Sequence, residues 1–281
     1  MIKIFPVIVV YNKDINESLT LKSLCHCNVS HDSILVIDNS TTDYNIASYC
    51  KENHYMYHSM NGNAGLSKAY NRALNILLPI MNKDDLVIWL DDDTEITPEY
   101  FSKLIIQAEN CVADIFLPII VGQDNVIYSP NEYGFFKGHF MKSFNDDVNL
   151  KKINGINSCL AVRCNVYETY RYTESLFMDL IDNQFFDDMR KQNRGFCIIK
   201  SVIHQSFFQR GEHIDSDTVL SRLKIKYKDF MVYARKKGFG YLCLGLLKCY
   251  AWGITLSLKT KSQKVFIKSF VWGNKEFIKN V

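Results

Sequence analysis

Over roughly the first 118 positions, short runs of β-branched and aliphatic residues alternate with amphipathic stretches. "IKIFPVIVVYN", "SILVIDNS", "HYMYHS", "DLVIWLDD" and "ADIFLPIIV" have the composition of buried strands, and "ESLTLKSLCHC", "DYNIASYCKEN", "LSKAYNRALNILLP" and "TPEYFSKLIIQAEN" repeat apolar residues at helical spacing. Thr97-Pro98 is a helix start, with a capping hydroxyl followed by a residue that lacks the N–H a first turn cannot use. Such alternation predicts an α/β protein with a parallel sheet covered by helices on both faces. In open sheets of this kind ligands bind beyond the carboxyl ends of the strands. Val10-Tyr11-Asn12, Asp38-Asn39-Ser40 and Asp91-Asp92-Asp93 all fall at such ends, so chemistry is expected along one edge.

Residues 119–155 lose this regularity and are expected to form a strand pair and a loop that covers the site. "GINSCLAVRCN" then reads as a strand, Asp182 to Gln192 as a helix and "GFCIIKSVIH" as a strand ending at His204; from about Ser216 the chain is helical to its end. No repeat and no Gly/Ser/Pro-rich linker interrupts it, so the C-terminal part is expected to pack on the rest. The division expected is a catalytic part, residues 1–215, and a basic helical part, residues 216–281.

Charge sharpens that division. The net charge is only +3, but Thr218 to Val281 holds 14 Lys/Arg against 2 Asp/Glu, leaving 19 against 28 before it. With the apolar "GYLCLGLLKCYAWGITLSL" inside the basic part, contact with an anionic membrane surface is one expectation, and a helical cap with a solvated basic face is the other. Lys248 interrupts the apolar run, so a spanning helix is not favoured. The opening "MIKIFPVIVVYN" lacks a signal-peptide pattern, which places the chain in the cytoplasm, and nine cysteines without metal-ligand spacing read as small buried hydrophobes.

Three adjacent carboxylates repel one another and persist where a cation or strong donors neutralise them. Asp91 and Asp93, on alternate positions, can turn toward one point, where Mg2+ or Mn2+ bridging to a diphosphate is the usual occupant; the alternative is a solvated turn in which Asp93 or Thr94 caps the next helix. Asp38, leaving a buried strand, can accept a hydrogen bond from a base or a ribose. In "NGNAGLSKAYNRAL", Asn61 to Gly65 forms a donor-rich loop before a helix whose first amides are free to meet a ligand, with Lys68 and Asn71 able to face the same edge; the alternative is a turn with Asn71 on a solvated face. "FMDLIDNQFFDDMR" offers Asp179, Asp182, Asp187 and Asp188. A carboxylate at a helix start beside a substrate hydroxyl is a natural general base, whereas Asp187 and Asp188 are expected on the solvent face. His204 at a strand end is either a metal ligand or structural.

In order over about residues 4–210, "VIVVYN", "VIDNS", "NAGLSKAYNRAL", "WLDDDTEI", "FMDLIDNQFF" and His204 resemble glycosyltransferase family 2, the inverting transferases with the GT-A fold, and within it the bacterial branch of rhamnosyl- and galactofuranosyltransferases of surface-polysaccharide synthesis. "YKDFMVYARKKGF" and "FIKSFVWGNKEF" are similar to that branch's C-terminal region. The resemblance implies a Rossmann-like mixed sheet flanked by helices and a DXD-type motif, in which Asp93 holds Mn2+ or Mg2+ with Asp91 assisting and His204 as a further metal or diphosphate contact. It implies donor contacts from Val10, Asn12, Asp38, Asn63, Gly65, Lys68, Asn71, Asp91 and Asp92, and it makes Asp182 the catalytic base. The partners it implies are a UDP- or dTDP-sugar and a polyprenyl-diphosphate-linked or oligosaccharide acceptor in O-antigen, capsule or cell-wall synthesis, and no nucleic acid. Ile181 precedes Asp182 and Asn183-Gln184 follows it where the branch commonly has Thr-Glu, a departure that bears on the substrate. A nucleotidyltransferase is the rival enzyme, but "VIVVYNKDINES" lacks a glycine for its phosphate loop. A non-catalytic nucleotide-sugar-binding partner of a polysaccharide assembly is the rival outside enzymes.

Overall fold

A computed structural model of the chain describes residues 2–135, 138–206 and 216–281. The junction expected at residue 215 lies outside the described residues. Four strands, β1 (Ile4–Val10), β2 (Leu35–Asp38), β3 (Met56–Ser59) and β4 (Leu86–Leu90), pair in parallel in the order β3-β2-β1-β4. Helices α1 (Leu19–Leu24), α2 (Ile46–Glu52) and α3 (Leu66–Leu77) make the crossovers. After α4 (Pro98–Asn110), whose first turn is capped by the Thr97 hydroxyl, comes β5 (Ile115–Gly122).

The sheet is mixed rather than wholly parallel. β5 ends at the carboxyl edge, and the chain stays over that edge through β6 (Ile127–Ser129), β7 (Asn131–Glu132), β8 (His139–Phe140) and β9 (Ile153–Asn154). It therefore re-enters the sheet from that side, and β10 (Leu160–Arg163) runs antiparallel to both β4 and β5. Residues 119–155 hold more than the strand pair and loop expected: β5 runs on to Gly122, β6 extends the main sheet beside it, and β8-β7-β9 form a small antiparallel sheet. After the short α5 (Cys164–Tyr167) and α6 (Ile181–Lys191), β11 (Phe196–Gln205) closes the far edge parallel to β5.

Side chains alternate across each strand, so the sheet carries a core on each face. Ile8, Val36 and Ile88 pack with Leu21, Leu24, Tyr100 and Leu104 on one side. Val7, Leu35, Val87 and Trp89 pack with Ala69, Leu74, Phe185 and Met189 on the other.

Among the described residues the basic part holds three mutually packed helices, α7 (Ser216–Lys237), α8 (Phe239–Thr260) and α9 (Gln263–Asn280), around Leu223, Tyr227, Phe230, Met231, Leu242 and Cys249. Gly253 permits the approach of α8 to α9, because a Cβ there would collide with the Ser269 side chain. By length and composition α8 is able to cross a membrane, yet Leu242, Gly245, Cys249 and Gly253 bury one side of it. The helices dock on the sheet domain, as the unbroken composition predicted. The buried Asp229 of α7 accepts backbone N–H bonds from Phe177, Met178 and Asp179 at 2.9, 2.7 and 2.8 Å. Lys248 of α8 donates to the Phe135 carbonyl at 2.6 Å.

Candidate active site

At the end of β4 the chain turns sharply, and α1 holds the turn. Ser18 donates to the Asp92 carbonyl at 2.9 Å, and the Thr20 hydroxyl donates to the carbonyls of Asp91 and Thr94 while accepting from the Thr94 amide. The buried Thr94 hydroxyl meets Ser158, so neither it nor Asp93 caps α4. The three carboxylates thereby acquire different surroundings. Asp92 pairs with Lys13 at 3.4 Å. Asp93 is exposed. Asp91 points inward and accepts from Gln205 Nε2 at 2.8 Å; burial, reinforced by the Asp93 charge, pushes its carboxyl up to about 6.

The second carboxylate of the site stands at the start of α6. Three peptide N–H groups of residues 177–179 converge on Asp229, which fixes the approach to the helix, and Leu180 then takes a left-handed conformation, φ 63°. Asp182 follows on the first turn, its Oδ1 accepting its neighbour Asn183's N–H at 2.7 Å. Burial raises this carboxyl too, to about 6, with smaller upward contributions from the charges of Asp179 and Asp91.

Asp91 and Asp182 line one cavity of about 500 Å³. Tyr70 lines the same cavity: burial holds its phenol well above the ordinary value, and both carboxylates push the same way. Its ring rests on Trp89 at 4.3 Å in an aromatic cluster with Tyr172 and Phe185. Asn157, Ser158 and Gln205 complete the sheet side of the cavity. Lys226, Phe230 and Tyr233 of α7 and Lys248 and Trp252 of α8 form the opposite wall. Among the described residues no three His, Cys, Asp or Glu side chains cluster tightly enough to hold a metal by themselves. The donors that do fit a hard cation are oxygens: Asp91, the neighbouring Asp93, and Gln205 Oε1, which is buried without a hydrogen-bond partner.

Several predicted residues stand elsewhere. His204 is exposed on the other face of β11, in a separate cavity with Val121, Ile127 and Phe144; strand alternation gives the site Gln205 instead, so the metal-ligand assignment of His204 is corrected. Asn71 is buried, neither solvated nor facing a ligand. Its amide clasps Tyr172, donating to the carbonyl at 2.9 Å and accepting from the N–H at 2.8 Å. Lys68 is exposed on the outer face of α3, whose inward face carries Ala69, Tyr70, Ala73 and Leu74. The first amide of α3 is not free: Leu66 N–H donates to the Phe177 carbonyl at 2.7 Å. Gly65, φ 92°, allows that contact, because a Cβ would stand 2.7 Å from the Phe177 ring. Val10 has its side chain in the core and its carbonyl bonded to Asn39 N–H, so it offers a ligand little. Asp187 is buried against solvent, held by Arg190, Lys237 and the Tyr233 hydroxyl.

Asn12, Asp38 and Asn63 do lie at the carboxyl edge of β1 and β2. Asn12 joins the two strand ends through Ser40 and Thr41. Asp38 accepts from Ser40 N–H and Tyr57 hydroxyl, both at 3.0 Å, and remains half-buried at the rim. Asn63 accepts from Asn39 and Gly65, which shapes the loop. The residues missed were Tyr70, Ser158, Gln205 and the α7–α8 wall. Helical periodicity through Leu66, Ala69 and Tyr70 was a signal for the first, and strand alternation at His204-Gln205 for the third.

A mixed sheet with helices on both faces and an acid-lined cavity at its carboxyl edge is the build of the GT-A glycosyltransferases. The chain belongs to glycosyltransferase family 2: the family described as "Glycosyl transferase family 2" matches residues 7–171. No curated protein sequence matches. Similar solved structures include GalNAc-T7 with UDP, GalNAc and Mn2+, at 12% identity and a TM-score of 0.58 over 84% of this chain and 51% of that one. This chain thus spans about half of GalNAc-T7. TarS of S. aureus in complex with UDP has 14% identity and a TM-score of 0.54, covering 100% and 81%. The mannosyltransferase PcManGT of Pyrobaculum calidifontis with GDP-Man and Mn2+ has 13% identity and a TM-score of 0.55, covering 96% and 86%. At these identities the likeness is one of fold.

Proposed function

We propose that the protein is a metal-dependent inverting glycosyltransferase that moves a sugar from a nucleotide-diphosphate donor to a hydroxyl of a lipid-linked or oligosaccharide acceptor. A rhamnose- or galactofuranose-type sugar and a role in O-antigen, capsule or cell-wall polysaccharide synthesis follow from the branch resemblance. The observation that carries the reading is the convergence of Asp91 and Asp182 on one cavity at the carboxyl edge of a family 2 chain. The relatives crystallised with UDP or GDP-Man support a nucleotide donor, and Mn2+ in two of them supports a divalent metal.

In this reading Asp38 and Asn12 face the nucleoside, and Asp91, Asp93 and Gln205 Oε1 are the residues that would hold Mn2+ or Mg2+. When bound, the metal supplies positive charge for the departing diphosphate. Asp182 does the proton chemistry. With its carboxyl near 6 it is ionised at neutral pH and still basic enough to accept the acceptor's hydroxyl proton. The hydroxyl oxygen forms its bond to the anomeric carbon on one face as the bond to the diphosphate oxygen breaks on the other. The electron pair leaves with the diphosphate, and no covalent enzyme intermediate is formed.

The basic part supports a peripheral position at the cytoplasmic face of a membrane. Leu247 and Leu258 on α8 and Ile278 on α9 are 61%, 74% and 73% exposed, and Lys259, Lys268 and Lys275 are exposed on the same two helices. That combination suits an anionic leaflet. The reading is tested by titrating the protein with UDP- and dTDP-sugars with and without manganese, following binding and slow donor hydrolysis. Metal-dependent binding of one donor is expected; no nucleotide binding with any metal would contradict it.

A further inference from the structure

Besides Asp91 and Asp182, the cavity is lined by two polar side chains that the mechanism leaves unused, Tyr70 of α3 and Asn157 before β10. Both are more than nine-tenths buried, at 2% and 8% exposed. β10 runs antiparallel to β4, with Cys159 N–H on the Trp89 carbonyl at 2.8 Å, so Asn157 and Ser158 come down next to the Asp91 turn. The Ser158 hydroxyl there hydrogen-bonds the Asp91 carboxylate. Backbone closes the turn into β10: Leu160 N–H donates to the Asn157 carbonyl at 2.9 Å, and the Asn157 side chain is not needed to form it. Asn157 Oδ1 is buried and has no hydrogen-bond partner among the described residues. An acceptor in that state is costly in a folded protein and calls for a donor.

Tyr70 supplies the complementary atom. Its ring is fixed against Trp89 and Tyr172, with centroids 4.3 and 5.1 Å away. Its hydroxyl lies within the fields of both Asp91 and Asp182 and beside the Asn157 amide, and burial together with the two carboxylates keeps it protonated. It therefore presents an O–H donor. A phenol O–H and an amide oxygen, one donor and one acceptor, are what a single alcohol group requires, because a hydroxyl both accepts and donates. A cation would meet the phenol proton and an anion the two carboxylates, so a neutral hydroxyl is the group that suits this corner.

We propose that Tyr70 and Asn157 form the subsite that reads one hydroxyl of the donor sugar, so that a sugar lacking the hydroxyl at that position is rejected. This deepens the transferase reading and rests on it: with the diphosphate at the Asp91–Asp93 turn and the acceptor hydroxyl at Asp182, the transferred sugar occupies the space that the two share. A site built to hydrogen-bond a hydroxyl discriminates against the analogue without it, since its own buried polar atoms are then left unpaired.

The experiment is calorimetric titration of the full chain in manganese with UDP, dTDP, UDP-glucose, UDP-galactose, UDP-galactofuranose and dTDP-rhamnose. The proteins are the native chain, Tyr70→Phe and Asn157→Ala, with thermal unfolding as a folding control. The quantity read is the sugar's gain, the affinity of the tightest nucleotide sugar relative to its parent nucleotide. Each variant is expected to cut that gain about tenfold and to leave UDP and dTDP within twofold. Among monodeoxy analogues of the tightest donor, one position is expected to lose about tenfold on the native protein, and Asn157→Ala is expected to bind that analogue no more weakly than the native protein does. No gain, a gain unchanged in both variants, or monodeoxy analogues that all bind the native protein within twofold of the parent would overturn the subsite and leave the donor reading in place. The analogue series on the native protein needs no variant and decides the matter should one unfold. Failure of both UDP and dTDP to bind would instead bring down the donor reading, and the subsite with it.

Discussion

The two walls of the cavity are built by opposite means. The sheet wall takes its residues from strand ends, where a four- or five-residue strand fixes direction and one turn fixes the side chain: Asp91 is inward because Leu90 is in the core and Thr20 grips the turn. The helical wall comes from α7 and α8, which dock through the buried Asp229 on the 177–179 amides and through Tyr233 and Lys237 on Asp187. Strand alternation thus aims the side chains of one wall, with the distant Thr20 holding the turn, and helix docking places the other. Asp182, the proposed base, follows the 177–179 segment that this docking fixes.

The comparison breaks most readily at Asp229. Asp229→Ala leaves three half-buried N–H groups without their acceptor and is expected to cost about 3 kcal/mol, roughly 10 °C in Tm, with turnover falling further than donor affinity. Gly65→Ala attacks the contact from the sheet side. With φ 92° and the Phe177 backbone oxygen 3.0 Å from a new Cβ, it is expected to cost about 1–3 kcal/mol by thermal unfolding.

Legibility followed the same division. The strands, the crossover helices and the placement of Asp38 and Asp91–Asp93 were readable because period-two and helical patterns are local. β10's reversal was not, since it depends on where residues 123–159 re-enter the sheet. Asn71 and Asp187 were misplaced because a polar residue's burial depends on partners distant in sequence, Tyr172 for one and Tyr233 and Lys237 for the other. His204 was misplaced by one residue, which in a strand is the opposite face.

A smaller effect is expected in pH dependence. Asp91 and Asp182 titrate near 6 in the folded chain against an ordinary value of 3.8. Between those values the folded state holds more protons than the unfolded one, so stability is fullest below about pH 4 for these groups and declines as pH rises through 6. Asp91→Asn is expected to flatten that part of a Tm-against-pH curve by a few degrees. The smallest effect separates neighbours on β11: Gln205→Ala should reduce transfer several-fold by removing a donor to Asp91 and raising its carboxyl further, whereas His204→Ala should leave transfer within twofold. A large loss in His204→Ala would restore that residue to the site.

The most direct test of the central claim is single-turnover transfer against donor binding in Asp182→Asn, with UDP- or dTDP-sugar and manganese. Transfer is expected to fall about 10²–10⁴-fold with donor Kd within twofold, and the native rate is expected to decline below pH 6 as Asp182 takes up a proton. Native-like transfer in Asp182→Asn would remove the base from the mechanism and, with it, the proposed chemistry of the cavity.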